Sequence, residues 1–121
     1  MKVLHIDDSP EICELYQDMF IANNHSITSV KDGKNGIKLA VNNDFDLILL
    51  DMCMPKYSGL DFLRDLKIQR PSELKKVVVV SVLEFNADQT KELLEFGVHS
   101  IEKKPPNLAS LVNIQKNMVF K

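Results

Sequence analysis

With 121 residues, 45% of them hydrophobic and 26% charged, the chain has the size and composition of one globular domain, which excludes a disordered polymer. The formal net charge of −2 supplies no electrostatic drive toward nucleic acid or an anionic membrane surface. Two cysteines, Cys13 and Cys53, without a C-x-x-C pair fit a reducing, cytoplasmic setting.

The opening MKVLHIDD has too short an apolar stretch for a secretory signal, and no run reaches the length of a membrane span. No repeat or linker interrupts the chain, so residues 1–121 are expected to form a single domain. Lys2 to Ile6 reads as a short strand that stops at Asp7-Asp8. Ser9-Pro10 then supplies an N-cap and a first helical residue. Ile12, Leu15, Tyr16, Met19 and Phe20 recur at helical spacing and predict one core-facing stripe. Ser26 to Val30 alternates and is rich in β-branched residues, as an edge strand would be. Asp32-Gly33 predicts a turn, and Ile37, Ala40 and Val41 a short helix closed by Asn42-Asn43.

Phe45 to Leu50 is a run of strand length, apolar but for Asp46, the pattern of a strand covered on both faces. A loop from Met52 to Ser58 follows, then a helix carrying Leu60, Leu63 and Leu66 that ends before Pro71. Lys76 to Val82 is the most β-branched stretch and predicts a central strand. Ala87, Leu93 and Leu94 predict a fourth helix, with Gly97 as its left-handed terminator. Val98 to Lys103 predicts a last strand, and Leu108, Leu111, Val112, Gln115 and Met118 a last helix after Pro105-Pro106.

Strand and helix alternate five times, which predicts an α/β fold built on a parallel sheet. In open sheets of this kind, ligands bind beyond the carboxyl ends of the strands. Asp7 and Asp8 end the first strand, Asp51 the third and Ser81 the fourth, and Lys104 follows the fifth. Three carboxylates, a hydroxyl and an ammonium are thus expected on one rim. Crowded carboxylates repel one another, and a hard divalent cation such as Mg²⁺, which prefers oxygen ligands, relieves the repulsion. A carboxylate is also a competent nucleophile toward phosphorus, and positioned cations and donors promote phosphoryl transfer. Taken alone, Asp7-Asp8 reads equally well as an acidic pair at a helix N-terminus. Cys13 reads as a small packing residue, and His5, His25 and His99 lack metal-ligand spacing.

The segments IDDSP, LLDMCMPKYSGLDFL, VVVVSV and GVHSIEKKPP, in that order over nearly the whole chain, resemble the receiver domain of bacterial two-component response regulators. The resemblance implies a doubly wound, flavodoxin-like (βα)5 fold with strand order 2-1-3-4-5. It implies that Asp51 accepts a phosphoryl group from a histidine kinase or a histidine phosphotransfer protein. Asp8 would bind Mg²⁺ directly and Asp7 mainly through water, and Cys53 would offer its backbone carbonyl. Ser81 would be the switch hydroxyl, and Lys104, ahead of a cis Pro105, would pair with the phosphoryl group. An effector protein would be met through the fourth helix, fifth strand and fifth helix, by a monomer or weak dimer that binds neither nucleic acid nor membrane. The protein would be a phosphoacceptor rather than a metabolic enzyme, catalysing only its own phosphoryl transfer and slow autodephosphorylation.

Two positions depart from the family pattern. Ile101 stands where the family has a rotating aromatic, and isoleucine is stiff at χ1. Val82 stands where alanine or glycine is usual and is expected to narrow access to Asp51. These departures motivate an alternative, a receiver-like interaction module that does not use phosphate. A haloacid-dehalogenase-type phosphatase is disfavoured, because its D-x-D would need an acid where Cys53 stands.

Overall fold

The computed structural model describes residues 1–52, 54, 56–81 and 84–103. The chain runs β1 (Lys2–Ile6), α1 (Pro10–Ala22), β2 (Ser26–Val30), α2 (Gly33–Asn42), β3 (Leu47–Asp51), α3 (Gly59–Gln69), a 3-10 helix (Pro71–Lys76), β4 (Val77–Ser81), α4 (Ala87–Glu95) and β5 (Ser100–Lys103). The five strands are parallel and lie in the order β2-β1-β3-β4-β5. This is the expected doubly wound order. The last helix expected around residues 108–118 lies outside the described residues.

The apolar runs are continuous because side chains alternate between two covered faces of the sheet. Val3, Leu47, Leu49, Val78 and Val80 pack with Tyr16 and Phe20 of α1 on one face. Leu4, Ile6, Ile48, Leu50, Val77 and Val79 pack with Ile37 of α2, Phe62, Leu63 and Leu66 of α3 and Leu93 of α4 on the other. Every residue of β3 and β4 is buried. β2, with its exposed Ser26 and Thr28, is the edge strand that its alternation predicted.

Several local expectations are corrected. Leu15 is 49% exposed, and the buried stripe of α1 is Cys13, Tyr16 and Phe20. Leu94 is likewise turned outward, leaving Leu93 as the buried residue of α4. β3 begins at Leu47 rather than Phe45, and it includes Asp51. Asp32 caps α2, its carboxylate accepting from the Asn35 amide at 2.8 Å, so the expected Asp32-Gly33 turn is a helix start.

The 3-10 helix had no counterpart in the periodicity. It is tied to α2 by Arg70, whose guanidinium donates to the carbonyls of Asn43 (2.7 Å) and Ala40 (3.1 Å) at the end of that helix. Arg70 also pairs with Asp44 and, at 3.0 Å, with the buried Glu73. The Arg70 hydrogen bond, then its charge, holds the Asp44 carboxyl below its ordinary range. Gly97 has φ +95°, the left-handed terminator expected after α4. No helix among the described residues is long and apolar enough to cross a membrane.

Candidate functional site at the carboxyl ends of the strands

Parallel pairing brings the ends of β1, β3 and β4 to one edge of the sheet. Ile6 is in register with Leu50, and Asp51 with Val80, so Asp7, Asp51 and Ser81 leave adjacent strands at nearly the same level. One carboxylate oxygen from each of Asp7, Asp8 and Asp51 lies within 4.8 Å of the others. Asp7 and Asp51 are buried, and Asp8 is exposed.

Local structure fixes the two buried acids. The Asp7 amide donates to the Val30 carbonyl at 3.1 Å, joining the strand end to β2. The Ser9 amide donates to Asp7 Oδ1 at 3.0 Å, and the Ser9 hydroxyl accepts from the Ile12 amide at 3.4 Å as the N-cap of α1. Asp51 is the last residue of a fully buried strand. Beyond it, α3 begins with a reciprocal cap between Ser58 and Asp61, and the Gly59 amide reaches back to the Met52 carbonyl at 3.4 Å.

The donor set suits a hard cation. All three groups offer oxygen, the donor a hard divalent cation such as Mg²⁺ prefers, and their oxygens lie close enough together to share one cation. Ser81 is buried at the end of β4, opposite Lys103 of β5. Lys103 points outward and pairs with Glu84. Ile101, in register with Val79, is half-buried and packs with Phe85 against the core. Cys53, Val82, Lys104 and Pro105 lie outside the described residues.

Two groups under the acids drew no functional reading from the sequence. His5 is 2% exposed, and its ring centroid is 4.6 Å from that of the fully buried Tyr16. The Tyr16 phenol is pushed well above its ordinary range by burial, then by the charges of Asp7 and Asp51. Its hydroxyl has no hydrogen-bond partner among the described residues. A buried hydroxyl without a partner carries a desolvation cost. Tyr16→Phe is therefore expected to raise unfolding stability by up to ~1 kcal/mol in urea titrations. A loss of similar size would reveal a hydrogen bond from that hydroxyl. Cys13 packs as expected, with its thiol donating to the Asp7 carbonyl at 3.3 Å.

The chain matches the response regulator receiver domain family over residues 3–116. It is 30% identical over 106 residues to an uncharacterized transcriptional regulatory protein, YcbL, of Bacillus subtilis, covering 88% of this chain and 45% of that one. It is 28% identical over 110 residues to the response regulator SaeR of Staphylococcus aureus, covering 91% and 46%. The chain thus spans about half the length of the curated relatives it matches. Among solved structures, the receiver domain of the Francisella response regulator 1452 superposes with a TM-score of 0.82 at 26% identity, covering 97% of this chain and 98% of that one. The receiver domain of the sensor histidine kinase PA1611 of Pseudomonas aeruginosa, solved with magnesium in its active site cleft, shares the fold at TM-score 0.82 and 21% identity, covering 99% and 98%. The chain belongs to the response regulator receiver domain family. It is a signalling domain of the two-component type rather than a classical enzyme.

Proposed function

We propose that this receiver domain is a phosphorylation-controlled switch, with Asp51 as its phosphoacceptor. The observation that carries the reading is the convergence of Asp7, Asp8 and Asp51 within 4.8 Å at the strand ends. Family membership adds a histidine kinase or histidine phosphotransfer protein as the donor. A carboxylate oxygen of Asp51 attacks phosphorus and forms the new P–O bond. The P–N bond of the donor phosphohistidine breaks, and its electron pair leaves with the imidazole. Burial at the end of a rigid strand holds the Asp51 carboxylate in one direction, which is the entropic part of the rate.

Asp8 and Asp51, with Asp7 through water and the Cys53 carbonyl, are the groups assigned to hold Mg²⁺. When bound, the cation offsets the crowded negative charge and that of the phosphoryl oxygens. Lys104 and Ser81 are assigned to the phosphoryl oxygens, Lys104 by charge and Ser81 by donating its hydroxyl proton. Phosphorylation adds about −1.5 to −2 charge at this rim. Moving a two-state equilibrium from 1:99 to 99:1 takes ~5.5 kcal/mol of differential stabilisation, and a charge-assisted network at Ser81 and Lys104 is the source assigned to it. The output passes to an effector through the face built on α4, β5 and the segment after it. With isoleucine at 101, that output depends on backbone shift at the end of β4 more than on a rotating ring. Residues 1–121 act as one domain in this reading, in the cytoplasm where the kinases of the family present their phosphohistidine.

The test is intact mass after incubation with Mg²⁺ and a small phosphoramidate donor. A single phosphoryl adduct that EDTA prevents is expected. An adduct that forms equally in EDTA would contradict the metal assignment, and the absence of any adduct would favour the phosphate-independent module.

A further inference from the structure

We infer that His5 is a positioning residue for the Asp7 carboxylate, an inference that rests on the acid cluster being a divalent-cation site. Strand geometry puts its partners in place. Asp7 follows the last residue of β1, two after His5, and its amide still pairs with the Val30 carbonyl, so the two side chains leave the same face of the sheet. Ser29 is the cross-strand neighbour of His5 on β2, and Tyr16 of α1 covers the imidazole ring. The hydroxyl of Ser29 lies 3.3 Å from Nδ1 of His5, and Nε2 lies 3.8 Å from Oδ2 of Asp7.

At 3.8 Å the Nε2–Oδ2 contact is electrostatic rather than a hydrogen bond, and the carboxylate favours the tautomer that carries its proton on Nε2. The Ser29 hydroxyl can donate or accept, and beside that tautomer it donates to Nδ1. Asp7 thus selects the tautomer, and Ser29 anchors the ring that presents it. The other oxygen, Oδ1, already accepts from the Ser9 amide at 3.0 Å. Asp7 is therefore held from two sides, by a backbone amide at the start of α1 and by a side chain inside the sheet. A strand that needed only packing at this position would carry an aliphatic residue, as it does at Val3 on the same face. An imidazole buried to 2% exposure is costly unless its nitrogens are engaged. The geometry engages one with the edge strand and turns the other to the acid site. Groups of this kind, one step behind the ligands, tune metal affinity by fixing ligand direction.

The experiment is calorimetric titration of Mg²⁺ into the wild-type chain and into His5→Leu, His5→Gln and Ser29→Ala, with thermal unfolding in EDTA as the check on folding. His5→Leu is expected to weaken Mg²⁺ binding about tenfold. His5→Gln carries an amide N–H toward the Nε2 position and should recover most of that loss. Ser29→Ala keeps the ring but removes the hydroxyl that anchors its Nδ1 edge, and should weaken binding in the same direction by less. It also carries the test if His5→Leu does not fold. Wild-type affinity in His5→Leu, or in Ser29→Ala where the Leu variant does not fold, would overturn the inference and leave His5 a packing residue. Equal weakening in the Leu and Gln variants would overturn it too, because the N–H would then not be the active feature. A wild-type chain that takes up no Mg²⁺ would overturn the cation-site reading itself, before any variant is compared.

Discussion

Asp51→Asn is expected to abolish the Mg²⁺-dependent phosphoryl adduct and most of the stabilisation that Mg²⁺ gives the wild-type chain. The amide that replaces the carboxylate is uncharged and is a poor nucleophile toward phosphorus, so no aspartyl-phosphate forms. The cluster also falls from three carboxylates to two, since Asp7 and Asp8 alone remain of the group within 4.8 Å. Metal binding to the folded state stabilises it by mass action, about 2.7 kcal/mol at a hundredfold excess over the dissociation constant. The wild-type chain should show a Mg²⁺-dependent rise in thermal midpoint on that scale, and the variant little of it. In EDTA the order should reverse. Removing one of three crowded negative charges relieves repulsion, so the variant should unfold at the same temperature as wild type or above it. An adduct that survives the substitution would place the acceptor on another residue, and a Mg²⁺ shift that survives it would remove Asp51 from the cation site.

The rim was legible because its chemistry sits on features that sequence encodes locally. A strand that runs apolar for four residues and ends on Asp51 states both its burial and its direction. Alternation of strands and helices then implies parallel pairing, and parallel pairing puts all strand ends on one edge. From that point Asp7, Asp8, Asp51 and Ser81 meet as a consequence of topology, as the register of β1, β3 and β4 bears out. What stayed illegible depends on neighbours rather than on period. Leu15 fits the helical stripe of α1 as well as Cys13 does, and only the width of the covered face decides between them. The 3-10 helix after α3 is organised by Arg70 reaching the end of α2 some 27 to 30 residues earlier in the chain. No window of local sequence carries that contact. His5 reads as an ordinary strand residue until β2 is placed beside β1. Its role is a property of the pair His5–Ser29 and of the alternation that aims it at Asp7.

Gly59→Ala is expected to destabilise the fold by ~1–3 kcal/mol, the usual range for overpacking, and to weaken Mg²⁺ binding as well. Gly59 is the first residue of α3, set against the chain that leaves β3. A Cβ built there would lie 2.4 Å from Met52 Sδ, 2.8 Å from Met52 Cα and 3.1 Å from the Asp51 carbonyl oxygen. The sulfur sits at the end of a flexible side chain and can move aside. The Cα and the carbonyl belong to the backbone that fixes Asp51, and they move only if the strand end or α3 moves. Helix propensity works in the opposite direction, since alanine gains up to ~1 kcal/mol over glycine inside a helix, and less at a first position. Collision with backbone exceeds that gain, so the net sign is destabilising. Gly97 makes a useful contrast, because there a Cβ would find nothing closer than 3.9 Å and φ of +95° is what favours glycine. Space at Gly59 thus sets how near α3 can come to the backbone that carries Asp51. Urea unfolding and Mg²⁺ titration of the same variant separate the two effects. Lost stability with unchanged Mg²⁺ affinity would mean that α3 retreats and leaves Asp51 in place. Wild-type values in both would mean that the close approach of α3 to Met52 is not required by either.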